Sequence, residues 1–252
     1  MKLNFNRRLL AFAAACFLST SLAASDADYE AGIKAMAAND TDSALHYLEL
    51  AVAGDPDNLK YGNDYRQLVI RTQQYTRSLK FFEQTAAEHP KSANLLLNYG
   101  FAYVDKIPVA GSITQVILAN NALTQFSKSI ELQPTWIGYF TRGASYLFWP
   151  KVFNRAPLGV ADLEKALELQ QAEPQRGYYV RTYIALGDGY WKTDDLKKAR
   201  ATWREGLKKF PGNAQLKRRL ALHRDALKNE IEAGFDPDVR VDTDLKELWT
   251  QN

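Results

Sequence analysis

Apolar residues recur along this chain at helical spacing, in segments that follow polar turns and end at a proline. Ala44, Leu48 and Ala51 are separated by four and three positions, which places them on one face of an α-helix. The polar run 39–42 precedes this segment and Pro56 follows it, and proline cannot continue the hydrogen-bond ladder of a helix. Since another helical stretch lies before the polar run, the pattern predicts two helices joined by a short turn.

The same arrangement recurs 34 residues further along the chain. Pro90 lies 34 residues after Pro56, and Ser78 and Phe82 occupy the helical stretch before it. A polar break at residues 73–74 separates this stretch from an earlier helix. A repeat of this length predicts stacked helix pairs, because one pair alone cannot bury its apolar face.

The last copy of the repeat carries the most complete pattern. Its first helix (helix A) and second helix (helix B), and the proline that follows them, supply Tyr183, Leu186, Gly187, Tyr190, Ala199, Trp203, Gly206 and Pro211. This pattern resembles the tetratricopeptide repeat (TPR). We expect Gly187 and Ala199 to let the two helix backbones approach closely beside the large Trp203.

The resemblance implies an all-α fold, an α-solenoid of about five TPR-like helix pairs in which more than roughly two-thirds of the residues are helical. The copies span residues 25–58, 59–92, 93–136, 137–176 and 177–213. Between helix A and helix B, the third copy carries ten extra residues and the fourth carries four, and Arg66 replaces the usual small residue in the second. Residues 214–233 are expected to form one C-terminal capping helix, and residues 234–252 an acidic tail.

The first 24 residues are typical of a secretory signal peptide. A lysine and two arginines give a positive start, and an apolar run follows from Leu9 to Leu18. Small residues then predict cleavage after Ala23 or Ala24. The run is shorter than the ~20 residues that a transmembrane helix needs. The sequence therefore predicts a periplasmic protein of a Gram-negative-type cell, without a transmembrane segment.

Cys16 offers an alternative within the same segment. As the lipidated first residue of a lipoprotein, it would tether the protein to a membrane. The preceding run 13–15 lacks the larger aliphatic residue usual before such a cysteine, and residues 17–18 continue the apolar run. Because Cys16 is the one cysteine of the chain, a cleaved signal peptide would leave no thiol chemistry.

The balance of charge changes once the signal peptide is removed. The chain has 32 Lys and Arg against 29 Asp and Glu, and three of the bases lie in the signal peptide, so the mature chain is formally neutral. A general nucleic-acid role therefore loses its electrostatic basis. The net charge is −7 for residues 25–58, +8 for residues 192–228 and −5 for residues 229–252.

This charge distribution bears on self-association. Opposite charges at the two ends of a repeat array favour head-to-tail contact between copies. The acidic tail is covalently attached to the basic segment, however, which gives it a high effective concentration there. We expect the tail to fold back on the basic segment, anchored by Leu245, Leu248 and Trp249, and to leave a monomer.

No catalytic, cofactor or metal site is predicted. His46, His89 and His223 belong to different parts of the repeat array, and no pair has the spacing of metal ligands. Residues 187–189 are glycine-rich but lie inside a helix A, unlike a phosphate-binding loop. The aspartates of residues 236–244 lack the central glycine and closing glutamate of a calcium loop. We therefore expect a protein that is not an enzyme.

The resemblance implies a partner-binding groove lined by the helices A. The Lys–Asn clamp with which similar repeats hold a C-terminal carboxylate is missing from the matching positions. These positions are mostly apolar, and the candidate binding residues among them are Phe101, Phe140, Leu147, Ile184 and Trp191. Such a groove suits an apolar or amphipathic partner segment. The alternative is that these side chains pack on each other or on the tail.

The two insertions form a second candidate surface. Both insertions join a helix A to a helix B, so we expect them at the same edge of the array. Trp149 and Phe153 are the candidate partner-binding residues there, because contiguous apolar residues at an exposed edge mark docking surfaces. The alternative is that the insertions cover each other as a small satellite core.

The predicted function is a periplasmic TPR scaffold or adaptor that binds a protein or peptide partner. One alternative is a membrane-tethered TPR lipoprotein that helps envelope assembly. Another is an accessory subunit of a periplasmic enzyme system.

Overall fold

Helices supply all the regular secondary structure of residues 23–250, the part of the chain that this computed structural model describes. They make up 78% of these residues, and no strand occurs among them. The all-α fold and the helical content predicted from the repeat are therefore confirmed. The expected signal peptide lies outside the described residues, except for residues 23 and 24, at which the first helix begins.

The chain divides into two units, Met1–Ala102 and Tyr103–Asn252, with the boundary inside a helix. Unit 1 contains α1 (23–37), α2 (Thr41–Gly54), α3 (Leu59–Thr72), α4 (Tyr75–Glu88) and most of α5 (Ala93–Lys106). Unit 2 continues with α6 (Ser112–Leu132), α7 (Trp136–Leu147), α8 (Ala156–Gln171), α9 (Val180–Lys192), α10 (Leu196–Lys209), α11 (Ala214–Ala221), α12 (Arg224–Ala233) and α13 (Glu247–Thr250). Short 3₁₀ turns lie at Ile107–Val109, Lys151–Phe153 and Gly177–Tyr179.

Helices that follow one another along the chain pack against one another. In unit 1, α3 packs against α2 and α4, and in unit 2 contacts run from α6 through α7, α8, α9 and α10 to α11. The helices A of the five copies are α1, α3, α5, α7 and α9, and the helices B are α2, α4, α6, α8 and α10. Packing between sequence neighbours is the arrangement that a repeat architecture requires.

Left-handed residues form the turn from helix A to helix B at the same repeat position in three copies. Asn39, Gln73 and Asp194 have φ angles of 59°, 56° and 66°. After two of these turns, Asp40 and Asp195 cap helix B by accepting a backbone hydrogen bond at 3.2 and 2.9 Å. In the two enlarged copies, 3₁₀ turns of the insertions replace this turn.

Unit 1 departs from the family pattern at Arg66, which occupies the position of a small residue. Its completely buried guanidinium donates through Nε to Asn98 Oδ1 at 3.1 Å and through Nη2 to Asn63 Oδ1 at 3.3 Å. It also lies 4.7 Å from the centroid of the Phe101 ring. The close contact between helices A lies instead at Gly62, where an added Cβ atom would be 2.2 Å from the Asn98 side chain. Polar and cation–π contacts thus replace small-residue packing here.

Unit 2 shows the close approach of helix A and helix B that its glycines predict. A Cβ atom at Gly187 would lie 2.1 Å from Trp203 Nε1, and one at Gly159 would lie 2.7 Å from the Gly143 carbonyl oxygen. Trp203 is fully buried, in a core that it shares with Tyr183. The Trp203 ring therefore occupies the space that a side chain at position 187 would need.

The segment 214–233, expected as one capping helix, forms two helices, α11 and α12. The backbone between them is extended at Leu222, with a ψ angle of 152°. Arg200 on α10 donates hydrogen bonds to the carbonyl oxygens of Leu220, at 3.1 Å, and Leu222, at 2.9 Å. These bonds satisfy acceptors that the helix end leaves open. The break directs both Leu216 of α11 and the apolar face of α12 into the Trp203 core.

Candidate functional site

Residues 235–250, which we call the tail, lie against the helices of unit 2. Thr243 Oγ1 donates a 2.5 Å hydrogen bond to Asp105 Oδ1, at the C-terminal end of α5. Arg240 Nη1 donates to the backbone carbonyl oxygen of Asp105 at 2.9 Å. Because Asp105 and Thr243 are both buried, their bond is shielded from water and stronger than an exposed one.

Charged and polar side chains hold the tail at further points. Arg181, in the first turn of α9, lies 2.9 Å from Glu247 Oε1 and 3.9 Å from Asp242 Oδ2. Gln115 Nε2 on α6 donates to Asp238 Oδ1 at 2.8 Å. Burial raises the pKa of Glu247, and the charge of Arg181 opposes that shift. The negative tail therefore meets a cation and an amide donor on the helices that it covers.

An aromatic side chain anchors the beginning of the tail. The Phe235 ring packs edge-on against Phe148, with ring centroids 5.2 Å apart, and Lys192 Nζ lies 4.2 Å from its centroid. Lys192 also donates a 2.7 Å hydrogen bond to the Leu147 carbonyl oxygen, and burial lowers its pKa. Near the other end of the tail, Leu245 is buried. The tail thus has a large apolar anchor on each side of its contacts with Asp105.

The tail contacts unit 2 mainly at the ends of helices A. Asp105 lies near the end of α5, Phe148 directly follows α7, and Arg181 and Lys192 lie in the first and last turns of α9. We call this surface of Asp105, Phe148, Arg181 and Lys192 the tail site.

The structure corrects the predicted position of the tail. We expected it to cover the basic segment 192–228, but its ion pairs use Arg181, which precedes that segment, and it contacts the segment at Lys192. Some bases within the segment have partners elsewhere. Arg219, for example, makes a bidentate pair with the buried Asp188, at 2.6 and 2.7 Å. Arg181, outside the segment, meets the tail carboxylates of Asp242 and Glu247.

Two of the predicted groove residues lie inside the protein. Leu147 is fully buried in a cluster with Leu163 and Leu186. Phe101 is 6% exposed and lies against the Arg66 guanidinium. Both side chains fill space between packed helices, so neither offers a surface to a partner. Helical spacing alone does not separate a groove position from the core position beside it.

The other three predicted groove residues are partly buried and keep accessible surface. Phe140 stacks on Trp136 with a centroid distance of 5.1 Å. Ile184 and Trp191 pack against the core around Trp203. Phe140, Ile184 and Trp191 therefore stay candidates for partner contact.

The insertion edge exposes several apolar side chains. Val152 is 85% exposed, Phe153 52% and Ile113, at the start of α6, 82%. The alternative in which the insertions bury one another is therefore wrong for these residues. Trp149 differs from them: it is 8% exposed and packs edge-on against Phe153, with centroids 5.4 Å apart. The buried Trp149 ring packs beneath the exposed Phe153 ring, so Trp149 itself has almost no surface in contact with solvent.

Sequence reasoning missed Asp105, Arg181 and Thr243, the residues that hold the tail. The charge pattern instead predicted that the tail lies on the basic segment, with Leu245, Leu248 and Trp249 as apolar anchors. A pattern that could have found these contacts is the alternation of Thr243 and Leu245 with aspartates. A period of two is typical of an extended segment with one buried face.

The tail site offers a hydrogen-bond acceptor, a guanidinium and an apolar surface. Within residues 23–250, no group of three or more His, Cys, Asp and Glu side chains could hold a metal ion. Over the same range, none of the helices has the length and apolar character needed to cross a bilayer.

The fold defined by these helix pairs is an α-solenoid of the TPR type. A TPR protein of Thermus thermophilus matches it with a TM-score of 0.55 and 19% identity, over 81% of this chain and 100% of its own. A tetratricopeptide repeat protein from Parabacteroides merdae matches with a TM-score of 0.56 and 15% identity, over 91% and 80%. YrrB, described as a TPR protein with an unusual peptide-binding site, matches with 0.53 and 12%, over 77% and 91%. No protein-family model and no curated protein matches the sequence.

Proposed function

We propose that this protein is a periplasmic TPR scaffold or adaptor that binds a protein or peptide partner on the helix-A face of unit 2. The observation that carries the proposal is the tail, a peptide segment that lies against two helices A through Asp105 of α5 and Arg181 of α9, and against Phe148 at the end of α7. A face with an acceptor, a cation and an apolar surface suits the recognition of such segments. The likeness to YrrB, whose description names a peptide-binding site, supports it. Its role is binding and not catalysis.

Export is the second part of the proposal. The positive start, the apolar run and the small residues before Ala24 support it. The chain recovered from the periplasm should begin at Ala24 or Ser25 and carry no lipid. N-terminal sequencing together with the intact mass measures this result.

A blocked N-terminus at Cys16 with the added mass of a lipid would instead favour the membrane-tethered TPR lipoprotein. Cys16→Ser is the matched control. It leaves cleavage and location unchanged if the signal peptide is removed as proposed, whereas a lipoprotein would lose its anchor. Stable co-purification with an enzyme would favour the accessory subunit of a periplasmic enzyme system.

Partner capture should depend on the accessible residues of the helix-A face. Combined alanine substitutions of Phe140, Ile184 and Trp191 should reduce capture at least about 10-fold, because large apolar anchors carry much of the binding energy at such surfaces. The measurement is quantitative mass spectrometry of periplasmic proteins retained by the chain, tagged at its mature N-terminus. Circular dichroism of each variant checks that the fold is kept.

The insertion edge is tested in the same assay with alanine at Val152 and Phe153. Leu158→Ala, an exposed leucine on α8, is the matched control for loss of apolar surface. Capture that falls only with the edge variant would move the binding site to the insertions. Unchanged capture by both folded variants would contradict both surfaces.

A further inference from the structure

The tail presents alternate side chains to the protein around its buried Asp105 contact. Thr243 and Leu245 are buried, whereas the side chain of Asp242 is 72% exposed and Lys246 is also exposed. This alternation is that of an extended segment, in which side chains two positions apart point the same way. The site therefore accommodates a hydroxyl residue and a large apolar residue two positions after it.

The polar contacts set the chemistry of a segment that fits. Asp105 Oδ1 accepts the Thr243 hydroxyl, so this point requires a hydrogen-bond donor and repels an acidic or phosphorylated side chain. Arg181 meets carboxylates on both sides of that point, at Asp242 and Glu247. Charge complementarity of this kind steers association and selects among partners.

We propose that the tail site binds an extended acidic segment of a partner protein, with the tail as its built-in competitor. That segment carries Ser or Thr two positions before a large apolar residue, with carboxylates on both sides. This inference rests on the proposed function, since it names the chemistry of the partner at the same face. Binding of the partner segment displaces residues 235–250 and exposes their backbone to solvent.

Covalent attachment determines how the competition proceeds. A tethered segment reaches an effective concentration on the order of 1 mM at its own site. A free segment with the same contacts therefore binds weakly to the wild-type chain. Loosening the tail without altering the site should reveal the full affinity of the free segment.

The test uses the full chain and a fluorescent peptide with the sequence of residues 235–250. Leu245→Asp in the chain places a charge at a buried apolar position and should release the tail. Fluorescence anisotropy should then show peptide binding at least about 10-fold tighter than to the wild-type chain. Hydrogen exchange of the amides of residues 238–246 should accelerate in the same variant.

Matched variants separate recognition from general loosening. Val239→Asp makes the same kind of change at an exposed tail position, and should alter neither hydrogen exchange nor peptide affinity. Arg181→Gln added to Leu245→Asp should weaken peptide binding several-fold, as should a peptide with valine in place of Thr243. A Leu245→Asp variant with unchanged hydrogen exchange or unchanged peptide affinity would overturn the proposal, as would binding indifferent to Arg181 and Thr243.

Other occupants of the site give distinct results. Dimers of the wild-type chain that the free peptide dissociates would assign the site to the tail of a second copy, and would overturn its assignment to a partner. If the peptide does not bind while partner capture still depends on Phe140, Ile184 and Trp191, the result contradicts this inference but supports the proposed function. If peptide binding succeeds but no capture depends on these residues, the proposed function falls and the site remains a peptide site.

Discussion

Gly187→Ala should destabilise the protein by an amount at the upper end of the ~1–3 kcal/mol typical of overpacking. The added Cβ atom would lie 2.1 Å from Trp203 Nε1 and 2.4 Å from Cδ1 of the same ring. The Trp203 ring is fully buried among Tyr183, Ala199 and Leu216, so it cannot move aside without disturbing the core. Urea unfolding followed by circular dichroism measures the loss.

Gly212→Ala is the matched control, because a Cβ atom there meets nothing within 4 Å. Its free energy of unfolding should stay within ~0.5 kcal/mol of the wild-type value. Ala199→Leu should destabilise in the same direction as Gly187→Ala, since Ala199 is fully buried beside the same ring. Equal stability of Gly187→Ala and Gly212→Ala would contradict the helix pairing of the last repeat.

Arg219→Met should cost about 3–5 kcal/mol of unfolding free energy, because it leaves a buried carboxylate without its partner. In the wild-type chain both nitrogens of the Arg219 fork bind Asp188, at 2.6 and 2.7 Å, and both side chains are less than a tenth exposed. Replacing both residues, with Asp188→Leu added to Arg219→Met, should restore much of the loss. Chemical unfolding of the two single variants and the double variant measures the coupling.

The loss of stability in Arg219→Met should depend on pH, because the pKa of Asp188 is shifted in the folded protein. Burial raises the pKa of Asp188, and Arg219 opposes that shift. Without Arg219 the pKa of Asp188 rises further, so the folded variant binds a proton at a higher pH than the unfolded chain does. The difference in unfolding free energy between Arg219→Met and the wild-type chain should therefore shrink as the pH falls from the pKa of Asp188 in the folded variant towards its pKa in the unfolded chain.

The neighbouring Arg218 provides the control for this charge. It pairs with Glu230 at 2.6 Å, but its side chain is 66% exposed. Surface pairs of this kind contribute about 0–1 kcal/mol, so Arg218→Met should be close to neutral. A loss at Arg218 as large as that at Arg219 would mean that net charge, and not the buried pair, is responsible.

The helix pairs could be predicted from the sequence because their determinants are local and recur. Gly187 and Ala199 mark the contact of two helices that are joined by a short turn, and Pro56 and Pro90 end helices one repeat apart. The break near Leu222 could not be predicted in this way. The apolar spacing continues through it, and the donor that satisfies its carbonyl oxygens, Arg200, belongs to another helix.

The candidate site could be predicted only in part, for a similar reason. Helical spacing predicts a partner face on the helices A, but Thr243 and Asp105 are 138 positions apart, and no local pattern joins them. Arg66 shows the opposite case. Its departure from the family pattern is visible in the sequence, whereas its burial against Asn98 depends on the next helix A of the array.

The bond between Thr243 and Asp105 also bears on how the protein unfolds. In a stack of repeats each helix pair touches only its neighbours, so such a stack can lose its copies one at a time from an end. The tail connects α5 directly to the segment that follows α12, across the whole of unit 2. Opening any repeat between them stretches or breaks this link. The repeats of unit 2 are therefore expected to unfold cooperatively. We expect a chain whose tail is released to unfold in separate steps that begin at the C-terminal helices.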